Sequence, residues 1–307
     1  MKKIVFLPLV LISMLTFSQS TTYNIPEEDK RIVFLGNSIT YTGYYIAYIE
    51  AYYKLKYPER TIEFINLGLP SETVSQLSEP DHADGKFRRP KLQERLKRVL
   101  KKLKPDLVFS FYGINDGIYL PFDEGRFDKF KKGIYWLHNR VNKAGVPIIY
   151  MTPSIYDNEN GAAYANVMDI YSDWLMSRLY TMDWNVIDIH NSLKQKIANN
   201  RAVNPYYRFA IDGVHPTKDG HWLIANQLLI AFGELDRMQD SFTDCFSSSN
   251  KAKKVLALVE RKQAIQKNAW LTATKHKRPE MKIGLPMEQA VAKIKVLDAE
   301  IETIVVK

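Results

Sequence analysis

The 307-residue chain contains a single cysteine, Cys245, so no disulfide can form within it even in an oxidising compartment. No cysteine follows the apolar run at the N-terminus, which argues against a lipoprotein anchor. Internal repeats, zinc-finger spacings, RNA-binding signatures and interleaved basic and aromatic residues are also missing. Stability must therefore come from a hydrophobic core, and roughly 220 residues are enough for a full α/β domain.

The first twenty residues have the pattern of a secretory signal peptide. Lys2 and Lys3 give a positive start, residues 4–17 are apolar but short for a membrane span, and residues 18–20 offer a cleavage zone. An uncleaved membrane anchor is the alternative. We expect a periplasmic or secreted protein that has no stable membrane insertion once the signal is removed.

The chain is basic, with a formal net charge of +9 that falls to +7 without residues 1–20. A basic surface attracts anionic partners. Much of the excess, however, lies in residues 86–104, where Leu92, Leu96, Val99 and Leu103 recur at helical spacing. This pattern predicts a solvated helix with one buried stripe, and we expect no nucleic-acid partner.

Five short β-branched or aromatic runs alternate with longer helical patterns. Such alternation favours a parallel, doubly wound sheet with right-handed crossovers and helices on both faces. The predicted strands are Arg31–Leu35, Thr61–Asn66, Asp106–Tyr112, Val146–Thr152 and Asn185–Ile189. The predicted helices of this part are Tyr41–Tyr57, Pro90–Lys104, Asp123–Ala144, Ala162–Met182 and Thr217–Phe232.

The character of the chain changes near residue 240. A polar break at residues 241–250 leads to a helical pattern over Lys251–Trp270, then to a loop over Lys277–Pro286 and a last helix with one apolar stripe. Two helices alone bury little surface. We therefore predict a main domain over residues 28–240 and a helical appendage over 241–307 that packs on it.

Three residues have the chemistry of a serine hydrolase. Ser38 lies where the first strand turns into a helix, and a serine there needs a base to take its proton. Asp212 and His215 are close enough for the acid to orient the imidazole while the other ring nitrogen faces the serine. Ser38 as a plain helix cap, and Asp212 and His215 as a helix-entry loop, are the structural alternatives.

Two further residues can supply hydrogen bonds to a developing negative charge. Gly68 follows the second strand and can offer a backbone N–H, and Asn115 follows the third and can offer its side-chain amide. The backbone N–H of Ser38 would be a third donor. Because the carboxyl ends of parallel strands meet at one edge of a sheet, these residues should converge there.

These segments resemble, in order, the motifs of the SGNH hydrolases, also called GDSL esterases, over about residues 30–232. The resemblance implies a flavodoxin-like three-layer α/β/α sandwich with a five-stranded parallel sheet. It also implies that Ser38, Asp212 and His215 are catalytic and that Ser38, Gly68 and Asn115 form the oxyanion hole. Asn37 stands where the family name has an aspartate, and we expect its amide to support local hydrogen bonding.

Several other polar residues could belong to a functional site. His190 after Asp188 could form a second acid–base pair, but a buried structural histidine is the simpler interpretation. His221 lies within a predicted helix and is expected to be structural, and Asp116 is expected to brace its loop. A polar loop explains residues 81–84 without a metal, and no metal or other cofactor is expected.

Substrate contacts are predicted at Ser71 and Glu72, in the loop after Gly68, and at Tyr119, just after Asn115. Arg88 or Arg89 could join them from the same loop. The export signal and the resemblance, which is to an extracytoplasmic, carbohydrate-esterase-like branch of the family, favour hydrolysis of O-acyl esters, chiefly O-acetyl, on a carbohydrate through an acyl-enzyme. A lipid or short-acyl esterase of the same fold and a non-catalytic glycan-binding protein are the alternatives. The acylated glycan or other small ester is the only partner expected, and no oligomeric state is indicated.

Overall fold

The computed structural model describes Tyr23, Ile25 and residues 30–306, and the predicted signal peptide lies outside them. A single sheet of five parallel strands has the order β2-β1-β3-β4-β5, which confirms the predicted fold class. The strands are β1 Arg31–Gly36, β2 Glu63–Gly68, β3 Leu107–Phe111, β4 Ile148–Met151 and β5 Asn185–Ile187. Every residue of β3 and β4 is buried, as expected for strands covered on both faces.

Nine α-helices surround and extend this sheet within the described part of the chain. They are α1 Ser38–Thr42, α2 Tyr44–Lys56, α3 Leu92–Leu103, α4 Glu124–Lys143, α5 Ala162–Met182, α6 His190–Val203, α7 Lys218–Ala231, α8 Ser249–Ala273 and α9 Met287–Val305. Right-handed crossovers place the β1–β2 connection on one face and the later ones on the other. Accordingly, Tyr48 of α2 contacts Trp222 of α7, while Phe130 of α4 stacks on Tyr171 of α5.

Two helix predictions needed correction. The helix predicted over Tyr41–Tyr57 is broken at Gly43, whose φ of 70° is left-handed, so that α1 and α2 are separate helices. Helix α6 was not predicted, because Leu193 and Ile197 are its only buried apolar residues and give a weak periodic signal. The strand and helix positions otherwise agree to within three residues.

The C-terminal helices pack on the main domain along its β2 edge. Gln263 of α8 donates to the carbonyl oxygen of Phe64, an edge-strand residue, at 2.7 Å. Lys262 of α8 pairs with the buried Glu50 of α2 at 2.8 Å and with Asp298 of α9 at 2.6 Å. Helix α8 therefore covers a strand edge that would otherwise expose unpaired backbone groups. The boundary at residue 240 stays a prediction.

Within the described residues, no helix combines the length and the apolar composition that crossing a membrane requires.

Candidate active site

The serine turn connects β1 to α1. Asn37 is the N-cap of α1, and its side-chain oxygen accepts a hydrogen bond from the backbone N–H of Ile39 at 3.1 Å. Ser38 is the first residue of the helix and is partly exposed, whereas Asn37 is buried. The buried side chain of Asn37 thus fixes the turn and leaves the hydroxyl of Ser38 accessible.

Ser38, His215 and Asp212 form a hydrogen-bonded chain. The Oγ of Ser38 lies 2.8 Å from Nε2 of His215, and Nδ1 of His215 lies 2.6 Å from Oδ2 of Asp212. One ring nitrogen therefore faces the hydroxyl while the other faces the carboxylate, as proton transfer from the serine requires. Ser38 follows the first strand and His215 follows the last, so the two residues are 177 positions apart in the sequence.

The carboxylate of Asp212 is stabilised in its ionised form. Partial burial opposes ionisation, but hydrogen bonds from the His215 ring and from the backbone N–H groups of His215 and Val214 outweigh it and lower the pKa of Asp212. The two backbone bonds measure 2.8 and 2.9 Å. Because they bind Oδ1, they leave Oδ2 directed at the imidazole.

The loop that carries Asp212 and His215 is braced at its stem and at its tip. Ala210 and Pro216 form an antiparallel bridge across the stem. At the tip, the carbonyl of Gly213 accepts from the N–H of Asp157 at 2.9 Å. Gly213 has a φ of 81°, and a Cβ there would lie 2.8 Å from a side-chain carbon of Asn160, so the tip requires glycine.

Gly68 does not have the free N–H that the oxyanion prediction required. Its N–H donates to the side-chain oxygen of Asn66 at 2.9 Å, and Asn66 in turn donates to the carbonyl of Thr40 at 2.6 Å. A Cβ on Gly68 would lie 2.1 Å from the backbone nitrogen of Tyr41. Gly68 therefore allows β2 to approach α1 closely, and the prediction that it donates to an oxyanion is corrected.

The peptide unit three residues later offers a free donor instead. Ser71 has a left-handed φ of 65°, which is uncommon for a residue with a side chain. Among the described residues, none accepts a hydrogen bond from the N–H of Ser71. The same holds for the N–H of Ser38. Sequence alone does not reveal the Ser71 conformation, because a left-handed serine has no local signature.

Asn115 is held in one orientation by its neighbours. Its amide nitrogen donates to the carbonyl of Glu72 at 3.2 Å, and its side-chain oxygen accepts from the hydroxyl of Tyr119 at 2.8 Å. The second hydrogen of the amide remains for an oxyanion. Tyr119 itself was predicted to contact substrate, but its hydroxyl is used to orient Asn115, while its ring lies under the guanidinium of Arg89 at 5.2 Å.

Glu72 is buried and does not face substrate, which corrects the predicted contact. Its side chain is fully inaccessible and binds the equally buried Arg95 through two bonds of 2.7 Å. The hydroxyl of Tyr112 adds a third bond at 2.6 Å, and Arg95 also donates to the carbonyl of Leu67. This network anchors the loop after β2, and it buries Arg95, which belongs to the segment predicted to be a solvated helix.

Asp116 braces the same region, as predicted. One of its carboxylate oxygens accepts from the N–H groups of Val74 and Ser75 at 2.9 and 2.7 Å, and the other accepts from Gly113 at 3.0 Å. Burial raises the pKa of Asp116, and these bonds oppose that rise. The carboxyl group therefore ties the loop after β2 to the loop after β3, which are the loops that carry Ser71 and Asn115.

The remaining candidates have structural surroundings. His190 is buried and lies 2.7 Å from Asp169 and 3.2 Å from the carbonyl of Pro153, not beside Asp188. His221 is buried and stacks on Tyr45. The loop histidine His82 faces Glu79 and Phe87. No group of three metal-binding side chains was found among the described residues.

Comparison with known proteins identifies the family of the chain. A model of the GDSL-like lipase/acylhydrolase family matches residues 34–223. An acetylxylan esterase of Geobacillus stearothermophilus is 24% identical over 229 residues, which are 66% of this chain and 94% of that protein. The crystal structure of a catalytic mutant of that esterase has a TM-score of 0.53 at 23% identity and covers 68% of this chain and 96% of that one.

A second solved structure resembles more of the chain. It is that of a gut microbial diltiazem-metabolizing enzyme, with a TM-score of 0.72 at 14% identity, covering 93% of this chain and 97% of that one. At this identity the similarity concerns the fold, and its extent takes in C-terminal helices that lie beyond the family match. From its sequence and its site, the chain belongs to the GDSL-like lipase/acylhydrolase family and is a carboxylic ester hydrolase.

Proposed function

We propose that the protein is a serine esterase that removes acetyl groups from the hydroxyls of a carbohydrate. The observation that carries the reaction type is the continuous chain of 2.8 and 2.6 Å contacts from Ser38 through His215 to Asp212. The similarity to an acetylxylan esterase along two thirds of the chain supports the substrate class.

The proposed mechanism has two halves. His215, oriented by Asp212, takes the proton of Ser38 as its oxygen attacks the ester carbonyl, and the carbonyl oxygen becomes an oxyanion. His215 then gives that proton to the departing sugar hydroxyl, leaving an acetyl group on Ser38. In the second half, His215 takes a proton from water as the water oxygen attacks the acetyl carbon. The bond from that carbon to the Ser38 oxygen then breaks, His215 returns the proton to Ser38, and acetic acid leaves.

The oxyanion would be held by three N–H groups. Two are the backbone N–H groups of Ser38 and Ser71, and the third is the unused hydrogen of the Asn115 amide. The amide of Asn115 lies 3.2 Å from the carbonyl of Glu72, one residue beyond Ser71, so the donors of Asn115 and Ser71 are neighbours. Each such donor contributes roughly 3 kcal/mol to stabilisation of the transition state.

The openness of the site supports a bulky, soluble substrate. The side chains of Asp212 and His215 are 56% and 49% exposed, so an ester attached to a larger polar molecule can reach the serine. Together with the similarity to an acetylxylan esterase, this exposure leads us to place the acetyl ester on a carbohydrate rather than on a lipid.

We further propose that the protein works outside the cytoplasm, in the periplasm or after secretion. The support is the N-terminal pattern of two lysines, an apolar run and small polar residues. N-terminal sequencing of protein expressed from the full gene should show a new terminus near residue 20. An intact Met1 on exported protein would favour an uncleaved anchor, and retention in the cytoplasm would exclude export.

The test of the reaction is acetate release by the mature wild type and by the Ser38→Ala variant. We expect turnover of an aryl acetate and of acetylated xylo-oligosaccharides, and a loss of at least about 10⁴-fold in the variant, with an unchanged circular dichroism spectrum. Ser249→Ala, at the exposed start of α8, is the matched control and should keep full activity.

Each outcome separates the possibilities. Retained activity in Ser38→Ala would exclude the serine mechanism. Faster cleavage of octanoyl than of acetyl esters would favour a lipid esterase. Turnover of aryl acetate without any release from acetylated saccharides would reject the carbohydrate substrate while keeping the esterase.

A further inference from the structure

The segment between α8 and α9 reaches the loop that follows β2. Arg278, in this segment, donates from Nε to the carbonyl oxygen of Pro70 at 3.1 Å. Its guanidinium lies over the ring of Phe87 at 5.1 Å, and its Nη1 donates to the carbonyl of Pro279 at 2.9 Å. The C-terminal appendage thus contacts the loop through a charged donor, 208 residues away in sequence.

The carbonyl of Pro70 and the N–H of Ser71 belong to one peptide unit. All peptide bonds in the described residues are trans, so this C=O and this N–H point in opposite directions. A donor bound to the carbonyl oxygen therefore fixes the plane of the peptide and the direction of the N–H. A cationic donor also draws electron density toward the oxygen, which makes the N–H on the other side a stronger donor.

The rest of the turn is already fixed from the protein interior. The N–H of Glu72 donates to the carbonyl of Leu69 at 3.1 Å, and the Glu72 side chain is anchored on Arg95. The Pro70–Ser71 peptide between these anchors is held from the outside by Arg278. This contact comes from the appendage, beyond the residues that match the family model.

We propose that Arg278 is a positioning residue for ester hydrolysis, which acts by orienting and polarising the Pro70–Ser71 peptide so that the Ser71 N–H stabilises the oxyanion. This inference rests on the proposed serine mechanism. It makes the C-terminal appendage part of the catalytic apparatus, although none of its described residues hydrogen-bonds to the side chains of Ser38, His215 or Asp212.

The chain offers a matched control for the structural role of the same segment. Arg98 of α3 donates to the carbonyls of Thr274 and Lys275 at 2.8 and 3.0 Å, so it ties the appendage segment to the main domain. It makes no contact with the Pro70–Ser71 peptide. Loss of Arg98 should loosen the segment without removing the donor from the Pro70 carbonyl.

The experiment compares Arg278→Ala, Arg278→Lys and Arg98→Ala in the full mature chain, with an aryl acetate as substrate. For Arg278→Ala we expect kcat to fall about 10- to 100-fold while KM changes less than about twofold, because the lost interaction strengthens only in the transition state. Added guanidinium ion, at concentrations below those that unfold the protein, should restore part of the lost kcat. Arg278→Lys should lie between the wild type and Arg278→Ala, and Arg98→Ala should keep kcat within about twofold.

Three results would overturn the inference. They are an unchanged kcat in Arg278→Ala, an equal fall in kcat for Arg98→Ala at a similar melting temperature, and a fall in kcat for Arg278→Ala that guanidinium does not reverse. If Arg278→Ala does not fold, Arg278→Lys, which lacks the Nε donor of arginine, takes its place. A wild-type kcat in Arg278→Lys would then overturn the inference. Absence of Ser38-dependent turnover in the wild type would instead reject the proposed function.

Discussion

Two acid–base pairs near the proposed site contain similar groups but differ in access to solvent. The side chains of Asp212 and His215 are about half exposed, whereas those of Glu72 and Arg95 are fully buried. Substrate can reach the Asp212–His215 pair, so the imidazole of His215 can transfer a proton during the reaction. Neither water nor substrate reaches the second pair, so its charges act only on the shape of the loop after β2. Access to solvent, rather than residue type, separates the chemical pair from the structural pair.

The largest expected effect breaks the exposed pair. His215→Ala should lower kcat/KM for an aryl acetate by about 10⁴- to 10⁶-fold, because no base remains for Ser38. Asp212→Asn should lower it less, because the imidazole remains but loses its orienting charge. Steady-state kinetics with both variants measure the difference. An equal or greater loss in Asp212→Asn would mean that the roles of acid and base are misassigned.

The next effect breaks the buried pair. Glu72→Gln should lower the free energy of unfolding by about 3–5 kcal/mol, because Arg95 stays buried without a compensating charge. Urea unfolding followed by circular dichroism measures this loss. Glu79→Gln, which breaks the less buried bidentate pair with Arg89, is the comparison and should cost less. Equal losses would show that burial of the pair does not set its contribution to stability.

The stability of the protein at acidic pH should show that His221, a residue close to the exposed pair, is neutral in the folded state. Burial, together with a smaller contribution from the charge of nearby His215, lowers the pKa of His221 to about 3. Between the ordinary histidine pKa of about 6.5 and pH 3, the unfolded chain binds a proton that the folded chain does not. Stability should therefore fall with falling pH by up to about 1.4 kcal/mol per unit from this residue alone.

Replacing this histidine tests the effect directly. His221→Phe keeps a ring that can stack on Tyr45 and should flatten the decline in urea midpoint between pH 6 and pH 4. The urea midpoints of the variant and the wild type at pH 7.5 serve as the reference, because the histidine is neutral in the unfolded chain at that pH as well. Parallel pH profiles for the two proteins would contradict a buried neutral His221.

The smallest expected effect sharpens the link between shape and chemistry. Tyr119→Phe removes the 2.8 Å bond that orients the Asn115 amide and should lower kcat about three- to tenfold with little change in KM. Tyr156→Phe is the control, because its hydroxyl makes only a 3.5 Å contact with the carbonyl of Asn160. A similar loss in both variants would assign the effect to the aromatic surface rather than to Asn115.

Much of the fold was predictable because the strands are short apolar runs and the helices have clear periodicity. Helix α6 was missed since few of its residues are buried, and the break at Gly43 was missed since a single glycine within a helical pattern is ambiguous. Right-handed crossovers were predicted, but the order and register of the strands were not, because the crossover rule does not decide which strands are neighbours.

The site was predictable where residue type determines the chemistry. Ser38, His215, Asp212 and Asn115 have side chains whose functions are specific, and the structure brings the first three into one hydrogen-bonded chain. Donors from the backbone are different, because any residue has an N–H and only the conformation decides which one is free. For that reason the sequence pointed to Gly68, whereas the unpaired N–H belongs to Ser71.

Buried charges were the least predictable feature. Arginine and glutamate usually lie on the protein surface, and only long-range packing shows that Arg95 and Glu72 form an ion pair inside the protein. The contact of Arg278 with the carbonyl of Pro70 was equally unpredictable, because it spans 208 positions. Local patterns contain no information about such distant pairs.

The separation of Ser38 from His215 by 177 positions has a consequence for synthesis and turnover of the protein. The nucleophile emerges with the first strand, but its base emerges only after all five strands have been made. A nascent or proteolytically shortened chain that ends after β5 but before residue 212 has all five strands and no base for its serine. Activity therefore requires a chain that has been synthesised past His215 and has not been cut between the serine and its base.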